Sequence, residues 1–285
     1  MRALALCALC TSAAAQQPPR WYLQLDNDAF FFTDRWYTSG LRVARVTSRG
    51  DHEIELAVQQ DVYTPDAKNF ELGQSDRAPA ARLYAAVARH DRAPGKLVTW
   101  EGTLGVRGPA ALGEETTDFI HRIIAAREPN WDRQRSNRLE AQATYSRSDR
   151  FERLRLHHGV VAGTTHVFAH AGAEWRFGNL AAADLMSPAL RFAPTPPWDG
   201  EGRRGWSGFA GASVRYVARD DVLRDSYDPF VPPLTRRKVV TRLAAGISWA
   251  ASWGALVFSG TSDTRDFEGQ THPHRFGSLT VHLPF

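Results

Sequence analysis

The stretch LDNDAFFFTDRWYTSG, residues 25–40, gathers Asn27, Asp28 and Thr38 around a tight turn. These side chains offer oxygen donors, the type a hard cation prefers. Further along, GEETTDFIHRIIAA reads as a short helix with His121 in its middle. Phe119, Ile120, Ile123 and Ile124 give it an apolar side, and Thr116 or Thr117 is placed to cap it. A base fixed on a helix beside oxygen ligands for a cation is what metal-assisted ester hydrolysis needs. The cation would polarise the carbonyl while the imidazole takes a proton from water. Serine and cysteine nucleophiles have no comparable signal: GxSxG is absent, and the two cysteines, Cys7 and Cys10, stand in a leader. A lone histidine on a loop helix is more often an incidental polar residue. The reading therefore depends on elements that bring His121 to the turn.

The leader MRALALCALCTSAAA has an early Arg and a short apolar run that closes on Ala13, Ala14 and Ala15. It reads as a signal peptide over 1–15, too short to span a bilayer. A single domain over 16–285 follows, with no cysteine and hence no disulfide. No later segment supplies the ~18 consecutive apolar residues of a membrane helix. Period-two alternation recurs instead, over twelve segments at 20–31, 37–48, 52–64, 82–93, 96–109, 137–148, 151–163, 166–178, 205–218, 237–250, 252–264 and 274–285. One face of these strands is small or aromatic and the other charged, the pattern of a lipid-facing wall around a polar lumen. The last segment, GSLTVHLPF, ends on an aromatic in phase with Leu279, Val281 and Leu283. The fold class expected is all-β: a twelve-stranded antiparallel transmembrane barrel in the outer membrane, with a short helix in an external loop.

Parity sorts the connections. Short breaks at 49–51, 93–95, 148–149 and 250–252 suit periplasmic turns; long ones at 65–81, 109–136, 219–236 and 265–273 suit external loops. The connection 179–204 is long yet periplasmic by parity, so it is either an excursion or a sign of a misplaced strand. Glu101, Arg107, Glu140, Glu174 and Arg242 fall on the luminal face and should form a charged network there. His157 and His158 are separated by alternation, and with His272 and His274 they give little reason for a transition-metal site. The net charge of +4 is mild and implies no nucleic-acid partner. A monomer is expected.

NDAFFFTDRWYTSG, QQDVYTP, SDRAPAARLY, GVRGPAALGEETTDFIHRII and PNWDRQRSNR, in this order, resemble the outer-membrane lipid A 3'-O-deacylase family. The first half of the domain carries the resemblance; the second half shares the strand pattern and the terminal Phe. The resemblance implies a site at the outer rim that removes an acyl chain from lipid A of lipopolysaccharide. It also implies a mechanism like that of secreted phospholipases, with a His general base and Ca2+ stabilising the oxyanion. Position by position it assigns Asn27, Asp28, Thr38 and His121 to catalysis, and Asp28, Thr38 and Glu128 to the metal. Three positions depart from the family pattern. Ser75 replaces a Lys before the Asp-Arg pair, with Arg77 or Arg82 as the nearby cation. Thr117 replaces a Gln one helical turn before His121. Arg127 replaces an acidic residue, with Glu128 one step later. Ser75, Arg77 and Thr117 are thus the expected substrate contacts.

Phe30, Phe31, Trp36 and Tyr37 are expected to form the interfacial aromatic belt around this corner. Alternation puts Asp28 towards the lumen but Asn27 in phase with Leu23 and Leu25, so a bulge or a strand end must reorient one of them. The function expected is a Ca2+-dependent outer-membrane hydrolase of lipid A. A non-catalytic barrel (lipid-binding or a passive pore) and a phospholipid acyl hydrolase are the alternatives.

Overall fold

A computed structural model describes residues 19–49, 52–66, 76–124, 130–179, 204–223 and 234–284. The alternating segments all form strands: β1 (Arg20–Asn27), β2 (Trp36–Arg49), β3 (His52–Thr64), β4 (Ala80–Ala93), β5 (Lys96–Arg107), β6 (Arg138–Phe151), β7 (Leu154–Gly163), β8 (His166–Gly178), β9 (Gly205–Asp220), β10 (Val239–Ala251), β11 (Gly254–Asp263) and β12 (His274–Pro284). Each pairs antiparallel with its neighbours, and β1 pairs with β12 from Arg20↔Pro284 to Asn27↔Gly277, closing a twelve-stranded barrel. Closure leaves no unpaired edge, as a wall in lipid requires. One helix, α1 (Gly113–Ile124), lies in the β5–β6 connection. The leader, residues 1–15, lies outside the described residues, as does most of 179–204. The strands bounding that connection, β8 and β9, pair directly, so no strand is misplaced there.

Two boundaries differ from expectation. β1 stops at Asn27, and residues 28–31 form a 3-10 turn instead of continuing the strand. The β6–β7 turn falls at Glu152 and Arg153, not at 148–149. Glu152 takes the left-handed conformation that the reversal needs (φ 53), while Arg147 and Asp149 pair along the outer face of β6 at 2.8 Å.

The charged faces point inward and neutralise one another. Arg42 reaches Glu55 at 2.5 Å and Glu101 at 2.8 Å, while Tyr22 donates to Glu55 at 2.6 Å. Arg82 bridges Glu140 and Asp61, Arg242 pairs with Asp263 at 2.6 Å, Arg107 meets Asp221, and Glu174 holds Arg176. Arg42, Asp61, Arg82, Glu101, Arg242 and Asp263 are among the residues lining a luminal cavity of roughly 210 Å³. An apolar cluster of Trp36, Leu223 and Phe267, with Leu234 against it, sits at the external mouth. Trp36 and Tyr37 therefore do not join the belt. A bulge between Tyr37 and Ser39 turns Tyr37 inward, where its hydroxyl donates to Asp26 at 2.8 Å, and Trp36 (φ 65) packs edge-on to Phe267.

A buried pair that loses one partner leaves an uncompensated charge, which typically costs ~3–5 kcal/mol. Glu55→Ala should lower the unfolding free energy of the micelle-solubilised barrel by about that much in urea titrations. A loss no larger than that of a surface substitution would show that the network stabilises little.

Candidate active site

Two segments lie on the outside of the wall at the external rim. The first is the turn after β1. Asn27 ends the strand on the outer face, and its Oδ1 accepts the Ala29 N–H at 2.7 Å, capping the 3-10 turn. The strand end, not a bulge, thus reorients the Asn-Asp pair. Asp28 is buried; its Oδ2 accepts the Arg35 N–H at 2.7 Å and the Thr33 hydroxyl at 3.2 Å. The turn is seated by aromatic packing. Phe30 lies over Gly277 of β12 and Phe31 over Gly260 of β11, where a Cβ would meet the rings at 2.7 and 2.6 Å. These two phenylalanines stay on the outer face, as the belt reading expected.

The second segment is α1. Gly113 at its start presses on Ala81 of β4, where a Cβ would come within 2.3 Å of the Ala81 Cβ. Gln60 of β3 donates to the carbonyls of Ala111 and Leu112, capping the 3-10 turn (Pro109–Ala111) that precedes the helix. Val62, Ala81, Ala111 and Trp131 form the apolar contact beneath. At 100° per residue, Gly113, Thr117 and His121 share the buried face of α1. Thr116 and Thr117 do not cap the helix. Their hydroxyls donate back to the carbonyls of Leu112 and Gly113, both at 2.8 Å, because the helix begins before them.

Electrostatics link the two segments. Desolvation raises the Asp34 carboxyl, the His121 charge opposes that rise, and Asp66 adds to it. Burial pushes Asp28 from its ordinary 3.8 up to about 8, against the hydrogen bond from Arg35 and with Asp34 reinforcing the rise. A buried carboxylate in this position either keeps a proton or meets a positive charge. The nearby donors are oxygens, which fits a hard cation. Thr38, the bulged residue of β2, is buried with its hydroxyl 2.5 Å from that of Thr64. Among the described residues no three His, Cys, Asp or Glu side chains converge to hold a metal.

The family profile described as outer membrane protein LpxR matches residues 3–285. The chain belongs to the LpxR family. LpxR from Salmonella typhimurium shares the fold, with a TM-score of 0.78 over 93% of this chain and 100% of that one, at 20% identity. The translocator domain of the autotransporter NalP from Neisseria meningitidis matches at a TM-score of 0.42 and 8% identity, over 95% of this chain and 88% of that one. A search of curated proteins returned no match. This LpxR family chain is accordingly an outer-membrane β-barrel.

The remaining positions singled out in this LpxR family sequence are divided. Ser75, Arg127 and Glu128 lie outside the described residues. Arg77 goes to the lumen, where its guanidinium stacks on Tyr63 at 5.1 Å and donates to the Val222 carbonyl at 3.4 Å. Arg82 is held there too, by Glu140 and Asp61. Neither cation stands at the rim in place of the missing Lys. His157 is buried and His158 faces out, as alternation requires, while His274 is buried and His272 exposed. Thr33 and Thr64 were not singled out. Thr64 stands in the YTP motif, but its approach to Thr38 needs the bulge, which the sequence does not announce.

The elevated Asp28 pKa has a consequence for stability. Between about pH 4 and about pH 8 the folded chain holds a proton that the unfolded chain has lost, so stability should fall as pH rises through that window. Asp28→Asn, which keeps the shape of the protonated form, should flatten this slope in urea titrations without divalent cation. Equal slopes in both proteins would show that Asp28 is ionised throughout.

Proposed function

We propose that this LpxR family member is an outer-membrane hydrolase that removes an ester-linked acyl chain, the 3'-O-linked acyloxyacyl group, from lipid A, with Ca2+ bound and His121 as general base. One observation supports the reading: His121, on the buried face of α1, interacts electrostatically with Asp34, in the turn that also holds Asp28. A site there opens towards the leaflet that contains lipid A, whereas a site in the filled lumen would not.

His121 takes a proton from water, whose oxygen bonds to the acyl carbonyl carbon. The ester C–O bond then breaks, and the imidazolium returns its proton to the leaving oxygen. Asn27, whose amide oxygen is occupied by the Ala29 N–H, presents its NH2 donors to the developing oxyanion. Asp28 would hold the cation, with Thr38 and Glu128 as further oxygen donors. When bound, Ca2+ supplies charge stabilisation for the oxyanion. Thr117 directs its hydroxyl at the Gly113 carbonyl, so this side chain leaves room one turn before His121 where a longer amide could orient the water.

Acyl release from lipid A in mixed micelles with Ca2+ tests this. His121→Gln should lose ~10²–10⁴-fold in rate while the barrel keeps its heat-modifiable mobility. EDTA should silence the wild type and Ca2+ restore it. Ser75→Lys with Thr117→Gln should raise turnover. Equal rates in wild type and the His121 variant would remove the base, full activity in chelator would remove the cation, and folded but silent wild type would leave a non-catalytic barrel.

Gly113 tests the docking of α1 separately. Gly113→Ala must lift the helix from Ala81, and displacement of a catalytic group by about 1 Å costs on the order of 10²-fold. The same assay should show that loss with barrel insertion unchanged, and full activity would mean that His121 does not depend on this contact.

A further inference from the structure

The face of α1 that docks on the wall is not its apolar face. Gly113, Thr117 and His121 lie against the barrel. Leu112, just before the helix, and Phe119 and Ile123 within it form one edge, and they are 48%, 60% and 68% exposed. Glu114 is exposed on the far side, and the exposed Glu115 and Arg122 border the apolar edge beside Phe119. A helix in water normally buries its apolar side and presents the rest. Here three faces meet three surroundings: the wall, something apolar, and solvent.

We propose that α1 is an interfacial helix, with its Leu112–Phe119–Ile123 edge lying among the acyl chains of the outer leaflet. Three observations identify lipid as the occupant. First, the helix begins on the outside of the wall, not over the mouth. Gln60, Val62, Ala81, Leu83 and Val106, which receive the segment, are all outward residues of β3, β4 and β5. Second, the apolar edge continues the lipid-facing surface of the barrel, where Leu104 of β5 and Leu139 of β6 are 67% and 79% exposed. Third, two bulky residues hold left-handed backbone conformations at this rim, where glycine or asparagine fits more easily. Phe32 (φ 57) closes the first 3-10 turn and is 100% exposed; Leu112 (φ 58) closes the second. Large apolar side chains displayed on strained turns at a membrane surface have a use only if the membrane receives them. The helix is then held between wall and leaflet, with Glu114 towards the aqueous side and Glu115 and Arg122 at the boundary of the apolar edge. This inference rests on the barrel fold and the placement of α1, and it stands whether or not the site hydrolyses anything.

The chain has cysteine only at positions 7 and 10, so single-cysteine variants can be labelled cleanly in protein from which the leader has been removed. Phe119→Cys, Ile123→Cys and Phe32→Cys, with Glu114→Cys as the opposite face, would each carry a polarity-sensitive fluorophore. The labelled barrels are reconstituted in phosphatidylcholine vesicles with and without spin-labelled lipid, and unsubstituted protein serves as the labelling blank. The expected result is blue-shifted emission at 119, 123 and 32 that spin-labelled lipid quenches, and red, unquenched emission at 114. Blue-shifted emission that lipid does not quench would mean that protein, from this chain or a second copy, covers the edge. Emission at 119 and 123 as red as at 114 would mean water covers it. Either result overturns the proposal.

Discussion

A sheet in lipid has no solvent to satisfy its edge, so the pairing of β1 with β12 is the condition on which the molecule rests. Once that seam closes, every strand has one face in and one face out, and the sequence must serve two environments in alternation. The outer rows are apolar. The inner rows carry arginines and carboxylates that neutralise each other across the lumen, as Arg42 does with Glu55 and Glu101. The interior is thereby filled, and chemistry directed at a membrane lipid has to find room on the outside.

The rim provides that room through two departures from regular strand. β1 stops at Asn27, and the following turn folds down over the outer face on Phe30 and Phe31. β2 carries one extra residue at Thr38, which sends Tyr37 inward and leaves Thr38 beside Thr64. The β5–β6 connection lays α1 on β3 and β4, brought close by the missing side chain of Gly113. Each irregularity costs ladder hydrogen bonds or strained torsions, and each carries a residue of the candidate site.

What was legible in the sequence follows from this division. Alternation is a property of the regular wall, so strand number, the luminal placement of Glu101 and Arg242, and the shared end of the long connections other than 179–204 could be read from it. The helix that carries His121 was legible as well, because helical spacing in the β5–β6 connection is unbroken. Period two carries no information where the wall is irregular. Trp36 and Tyr37 look like belt residues until a left-handed turn and a bulge carry them inside. Arg77 looks like a rim cation until its stacking on Tyr63 places it in the lumen. Thr116 and Thr117 look like caps only if the helix is taken to begin after them, and Gly113 begins it earlier.

The seat of the first turn also bears on the order in which the molecule is made. α1 rests on β3 and β4, consecutive strands whose pairing is far more local in sequence than that of β1 with β12. Asp28 is positioned by a turn that lies on Gly277 and Gly260, more than two hundred residues away, and those glycines reach it only when first and last strands join. One half of the site can therefore mature early and locally, while the other half waits for the slowest and most entropically costly contact of the barrel. A chain still in transit can have α1 docked while the Asp28 turn is unseated, so the candidate site is completed by the same event that completes insertion.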